Sequence, residues 1–99
     1  DRARAIVEAS DRRPFTPHTI TDVDEIMARI AQTRADGYAL AISQILSGEI
    51  AAGFPIMDAN GDPVAAIHIA GSLAEWTPAD FARRVVPPGQ QAARAISRF

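Results

Sequence analysis

The chain has 99 residues, of which 47% are apolar and 22% charged, and its net charge is −2. This composition is that of one globular domain at most, and the mild acidity provides no electrostatic footprint for nucleic acid. No apolar run approaches the roughly 20 residues of a membrane span. The chain has no cysteine, which excludes disulfides and thiolate chemistry within it and suits the reducing cytoplasm, the location we expect.

The N-terminal part of the chain predicts two helices. The first covers residues 1–9, and an extended connection with two prolines follows over residues 12–19. The second helix runs from about Asp22 to Asp36, because apolar residues repeat there at helical spacing. Thr21 is its expected N-cap, and Gly37 is expected to end it in the left-handed conformation.

Residues 38–42 and 50–71 predict an antiparallel sheet. In the first of these segments large and small side chains alternate, as in a short strand. The second segment predicts a hairpin about Asn60-Gly61, a dipeptide that suits a tight turn. The resulting register pairs Met57 with Val64, Phe54 with Ile67, Gly53 with His68 and Ala51 with Ala70.

The two faces of this hairpin differ in the size of their side chains. One is an ordinary core face, formed by Ile50, Ala52, Phe54, Ile56, Ala65, Ile67 and Ile69. The other, which we call the small-residue face, is formed by Ala51, Gly53, Pro55, Ala66, His68 and Ala70. Small side chains around a single polar group leave room either for a closely packed helix or for a cavity. The small-residue face is therefore where we expect a function.

The C-terminal part of the chain predicts a helix with a break. Thr77 is its expected N-cap and Pro78 its first residue. Pro87-Pro88-Gly89 interrupts the helical pattern, and a proline inside a helix costs roughly 3 kcal/mol or more. We therefore expect a kinked helix or two short helices. The order helix, helix, three strands, helix predicts an α+β fold with an antiparallel sheet that packs one face on helices.

No spacing in the chain predicts a catalytic or metal site. His68 lacks further ligands at a metal-binding spacing, and no serine lies in a nucleophile-elbow pattern. His18 lies in a proline-bounded loop, where we expect it to be solvated. We expect no enzymatic activity, no metal and no cofactor.

Several short motifs follow one another in the order and spacing of a known family. They are Phe15-Thr16-Pro17-His18-Thr19-Ile20-Thr21-Asp22, Gly37-Tyr38-Ala39-Leu40, residues 51–58 with Pro55, Asn60-Gly61, Val64-Ala65-Ala66-Ile67, Gly71 and Thr77-Pro78. From Phe15 to Phe99 the chain resembles the C-terminal part of the effector-binding domain of IclR-type bacterial transcriptional regulators. The resemblance implies a GAF-like sheet with helices. It also implies that residues 1–99 are a partial effector-binding domain, and that the family's N-terminal winged helix-turn-helix is absent from this chain.

The same resemblance implies partners. Regulators of this type bind a small-molecule effector and assemble as homodimers or tetramers. They contact operator DNA through the winged helix-turn-helix, and no membrane partner is expected.

The resemblance also implies a binding site. By register, the family's effector contacts fall on Ala41, Ala51, His68 and Ala70. The acidic cluster that usually follows the Gly-Tyr pair is replaced by residues 41–44, Ala-Ile-Ser-Gln, and the polar pair of the last strand has become His68 and Ala70. These departures favour a more apolar or aromatic acid as effector, with His68 as its polar contact.

Two functions from different classes follow. The first is an effector-sensing and oligomerising domain of a transcriptional regulator. The alternative is a stand-alone GAF-like module, or an enzyme, that uses the same cavity. The absence of an acid–base pair converging on the small-residue face disfavours the enzyme.

Overall fold

A computed structural model describes residues 2–97 of the chain. Its elements are α1 (Arg2–Ala9), α2 (Val23–Asp36), β1 (Ala39–Ile42), β2 (Glu49–Met57), β3 (Pro63–Ser72) and α3 (Pro78–Ile96). The three strands form one antiparallel sheet in chain order, with β2 in the middle. The predicted α+β fold with an antiparallel sheet is confirmed.

The ends of α2 and α3 are determined by local capping. The N-cap of α2 is Asp22, whose carboxylate accepts a hydrogen bond from the backbone N–H of Glu25 at 2.9 Å. The prediction of Thr21 as the cap is therefore wrong by one residue, since the helix begins at Val23 and Asp22 is the residue placed to bond its first turn. Gly37 ends α2 in the left-handed conformation, with φ 81°, as predicted. Thr77 caps α3 by accepting from the N–H of Asp80 at 3.2 Å, also as predicted.

The core lies between α3 and one face of the sheet. Its buried members are Ile50, Ala52, Phe54 and Ile56 of β2 with Phe81 and Ala93 of α3. Ile67 and Ile69 of β3 pack against this cluster. The predicted core face of the hairpin is confirmed for these six residues, whereas Ala65, close to the turn, is exposed and lies outside the core. Full burial of a side chain such as Phe54 contributes about 1.5–3 kcal/mol.

α3 continues through Pro87 and Pro88 as one helix from Pro78 to Ile96. Of the two alternatives expected, a kinked helix or two short helices, the second is wrong. The physical reason is tertiary packing: Phe81, Gly89 and Ala93 are buried on the sheet side, while both prolines are exposed. Burial along this face outweighs the local cost of the prolines.

The register of the hairpin agrees with the prediction except next to the turn. Phe54 pairs with Ile67, Gly53 with His68 and Ala51 with Ala70. Met57 pairs with Pro63 and not with Val64, because the ladder shifts by one residue between Ile56 and Met57. The Asp58 carboxylate causes this by accepting the N–H groups of Asn60 and Asp62 at 2.9 and 3.0 Å, which closes a turn longer than the two residues we expected.

α1 is attached to α2. The Arg4 guanidinium lies 2.8 Å from the Asp24 carboxylate, and this hydrogen bond raises the pKa of Arg4. The Arg12 guanidinium donates to the carbonyls of Val7, Glu8 and Ser10 at the end of α1, and to that of Thr21 before α2. Arg12 therefore ties the end of one helix to the start of the next.

None of the helices within residues 2–97 is both long and apolar enough to cross a bilayer.

Candidate functional site

A cavity of about 560 Å³ lies on the small-residue face of the sheet. Its lining comes from all three strands and from the loop between β1 and β2: Ala39, Ala41, Gln44, Ile45, Leu46, Glu49, Ala51, Ala52, Gly53 and His68. Side chains alternate between the faces of a strand, so the large residues of β2 fill the opposite, core face and leave this face unfilled. Of the two possibilities that small side chains allowed, a cavity is the one present on this face.

Three of the four predicted contact residues line this cavity. They are Ala41 of β1, Ala51 of β2 and His68 of β3. Ala70 pairs with Ala51 and shares its face, but it is exposed and does not line the cavity. The sheet therefore brings together residues that lie as far apart in sequence as Ala41 and His68, and it leaves Ala70 beyond the rim.

The polar character of the cavity comes from Gln44, Glu49 and His68. Glu49 was not predicted. The alternation of side chains along β2 could have identified it. Glu49, Ala51 and Gly53 are spaced two residues apart, which places all three on one face of the strand. Gln44, Ile45 and Leu46 belong to an irregular loop. The sequence shows no periodicity there from which their positions could be predicted.

The loop of residues 43–48 is held in place by two threonines. The Thr16 hydroxyl is buried and donates to the Ser43 carbonyl, and the Thr19 hydroxyl donates to the Gln44 carbonyl. Ser43 has a left-handed backbone, with φ 54°, and its hydroxyl accepts the N–H of Gly48 at 3.0 Å. The loop side of the cavity is therefore positioned by the turn that contains Thr16 and Thr19. His18 of the same turn is exposed, as predicted.

A second cavity, of about 370 Å³, lies between α2 and β1. It shares Ala39, Ala41 and Gln44 with the first, and its α2 wall includes Ile26 and Ile30. On this helix the amide of Gln32 is already bonded to the Asp36 carboxylate at 2.9 Å. We take the cavity on the small-residue face as the candidate site, because Glu49 and His68 line it from two paired strands.

No group of three or more His, Asp or Glu side chains in the described part of the chain could hold a metal ion.

Comparison with known proteins identifies the family. The family model described as the C-terminal domain of the bacterial transcriptional regulator IclR matches residues 1–98. The chain belongs to this family of transcriptional regulators, and the resemblance inferred from its short motifs is confirmed.

The relatives include regulators from several bacteria. The chain is 26% identical over 84 residues to the Pca regulon regulatory protein of Pseudomonas putida, covering 85% of this chain and 29% of that protein. A predicted transcriptional regulator from Rhodococcus sp. RHA1 is 31% identical with a TM-score of 0.92, over 99% of this chain and 40% of the other. A double mutant of the inducer-binding domain of PobR from Acinetobacter, in complex with 3-hydroxybenzoic acid, is 25% identical with a TM-score of 0.88. That match covers 99% of this chain and 57% of the other, so this chain spans less than two thirds of the length of each of these relatives.

Proposed function

We propose that residues 1–99 are part of the effector-binding domain of a longer transcriptional regulator, and that the cavity on the small-residue face binds the effector. The observation that carries this proposal is the convergence of Ala41, Ala51 and His68 on one cavity. Its volume of about 560 Å³ is within the range of roughly 300–1,000 Å³ typical of small-molecule sites.

The lining favours a small organic acid with an apolar or aromatic body. Alanine side chains of β1 and β2, with Ile45 and Leu46 of the loop, provide apolar walls. His68 offers an imidazole, which can donate a hydrogen bond to a carboxylate. The PobR domain in complex with 3-hydroxybenzoic acid supports this class of ligand.

The effector signal would reach DNA through a winged helix-turn-helix outside residues 1–99. A net charge of −2 gives these residues little attraction for phosphates, so we expect no operator binding by them alone. Effector and operator affinities must be coupled reciprocally if the effector regulates transcription. We further propose that the protein acts in the cytoplasm as a homodimer or tetramer.

The competing function is a stand-alone binding module or an enzyme that uses the same cavity. Catalysis by Glu49 and His68 would require both groups to reach the same reacting atoms. Their strand positions disfavour this, because His68 faces Gly53 and Glu49 lies four residues earlier on β2. This separation supports binding without chemistry.

Thermal unfolding of the intact regulator with a panel of organic acids tests the proposal. An acid present at one hundred times its dissociation constant should stabilise the protein by about 2.7 kcal/mol. The same acid should change retention of a labelled operator by the intact protein, and residues 1–99 alone should not retain that operator. Chemical turnover of a bound acid would establish the enzyme, and failure of every acid to stabilise the protein would contradict effector binding.

A further inference from the structure

We propose that Glu49 determines effector specificity by binding a hydroxyl or amino group at the end of the effector opposite its acid group. This inference rests on the proposed function of the cavity. It narrows the effector class to monocarboxylic acids that carry a hydrogen-bond donor at their far end.

The backbone holds Glu49 firmly at the edge of the cavity. Its N–H donates to the Leu46 carbonyl at 3.1 Å, and its carbonyl accepts the N–H of Ser43 at 2.7 Å. Glu49 also pairs with Ser72 across the sheet. Its side chain is half-buried and lines the cavity on the side of Ala51. The backbone that carries this side chain is therefore fixed, as the support of a specificity group needs to be.

The side chains of Glu49 and His68 both lack a hydrogen-bond or ion-pair partner within the described residues. Among residues 2–97, no hydrogen bond or ion pair involves the Glu49 carboxylate or the His68 imidazole. A carboxylate that loses water on ligand binding needs a new hydrogen bond in exchange. An ionised carboxylate only accepts hydrogen bonds, so the ligand atom that meets Glu49 must be a donor.

The register places Glu49 and His68 at different positions along the sheet. His68 is directly opposite Gly53, and Glu49 lies four residues before Gly53 on β2. At about 3.3 Å per residue, the two backbone positions are about 13 Å apart along the strand. Glu49, Ala51 and His68 all line the cavity, and Ala51 lies between Glu49 and Gly53 on β2. A ligand can then place its acid at His68 and its donor at Glu49.

This arrangement predicts an order of affinities in a matched series of acids. Acids with a donor opposite the carboxylate, such as 4-hydroxybenzoate and 4-aminobenzoate, should bind at least about tenfold more tightly than benzoate. Terephthalate places a second carboxylate at Glu49 and should bind more weakly than benzoate, because like charges repel.

Calorimetric titration of the intact regulator with benzoate, 4-hydroxybenzoate and terephthalate tests the inference. In the Glu49→Leu variant, the affinity for 4-hydroxybenzoate should fall to that for benzoate. The weaker binding of terephthalate relative to benzoate should disappear. Glu49→Gln keeps the shape of the side chain and removes its charge, so it replaces Glu49→Leu as the test if that variant unfolds. The Glu49→Gln variant should show a smaller preference for 4-hydroxybenzoate over benzoate, and it should bind terephthalate more tightly than the wild type does. Glu75→Gln is the matched control, because Glu75 is exposed and lies outside the cavity, and it should leave all three affinities unchanged.

The outcomes separate this inference from the function on which it rests. Equal binding of benzoate and 4-hydroxybenzoate by the wild type would overturn the role of Glu49 and leave effector sensing intact. An unchanged preference in both Glu49 variants would do the same. Failure of all three acids to bind the wild type would overturn the proposed aromatic-acid effector and this inference with it.

Discussion

Gly89 of α3 lies directly against the aromatic ring of Phe54 on β2. A Cβ atom at Gly89 would be 2.4 Å from the Cε2 and Cζ atoms of that ring, closer than any real contact. Phe54 is 1% exposed and stands at the centre of the core. The missing side chain at Gly89 therefore sets the distance between α3 and the sheet.

We expect Gly89→Ala to destabilise the fold by about 1–3 kcal/mol. The added methyl group overpacks the core, and this outweighs the roughly 1 kcal/mol that alanine gains over glycine in a helix. Urea denaturation measures the change. Gln91→Ala, at an exposed position of the same helix, is the control and should stay within about 0.5 kcal/mol of wild type. A Gly89→Ala protein as stable as wild type would contradict the close packing on Phe54.

Gly53→Ala should behave in the opposite way. No atom lies within 4 Å of a Cβ built at Gly53, and the residue has no positive φ, so stability should be nearly unchanged. The new methyl group would occupy the cavity opposite His68 and should weaken binding of an aromatic acid. Unfolding and calorimetry on one preparation separate the two effects. Unchanged affinity would argue against ligand binding over this part of the sheet.

We expect His68→Ala to weaken effector binding while leaving the fold intact. The loss should be about 0.5–1.5 kcal/mol for a neutral hydrogen bond and about 1.5–3 kcal/mol for a charged one. Stability should persist because Phe54, Ile67 and Ile69 pack on the opposite face. His18→Ala, in an exposed turn, is the matched control. An unfolded His68→Ala protein would mean that the imidazole is structural.

Arg12→Ala should loosen α1. The variant leaves the carbonyls of Val7, Glu8, Ser10 and Thr21 without the guanidinium, and we expect a loss of about 1–3 kcal/mol of stability. Hydrogen exchange should rise in α1 more than in the sheet. The control is Arg13→Ala, whose exposed ion pair with Asp11 contributes about 0–1 kcal/mol. Equal effects of the two substitutions would show that Arg12 does not hold the helices together.

Thr16→Val should affect the cavity from a distance. It removes the buried hydroxyl that donates to the Ser43 carbonyl and should cost about 1–3 kcal/mol of stability. Because residues 43–48 form one wall of the cavity, their amide exchange should rise and effector affinity should fall. Thr33→Val, at a hydroxyl that bonds only within α2, is the control for the loop exchange. Unchanged exchange in residues 43–48 would mean that the loop keeps its conformation without Thr16.

The sequence predicted best what depends on periodicity, and it located the caps at Gly37 and Thr77 but missed the N-cap of α2 by one residue. The alternation of large and small residues identified the core face, and the register followed from Gly53 opposite His68. The prediction failed at Met57, because the Asp58 carboxylate builds a turn that the strand pattern does not encode. At Pro87-Pro88 it left one helix or two as alternatives, and burial of distant residues decides for one.

The candidate site was predictable only where strands form it. Ala41, Ala51 and His68 occupy strand positions whose face can be counted from the sequence. Glu49 required knowing that β2 begins one residue before the apolar run. The loop wall depends on the left-handed backbone of Ser43 and on its contact with Thr16, a long-range pairing with no local signal.

The prolines of α3 have a consequence for the order of folding. Pro87 and Pro88 have no backbone N–H, so the carbonyls of Arg83 and Arg84 one turn earlier lack their helical donors. A helix with this gap is unfavourable in isolation, because the segments on either side of the gap are shorter than the roughly 12–15 residues below which isolated helices are marginal. α3 therefore depends on a preformed surface of β2, with Phe54 in place to receive Gly89. We therefore expect the hairpin to act as the template and the C-terminal helix to form late, as it docks.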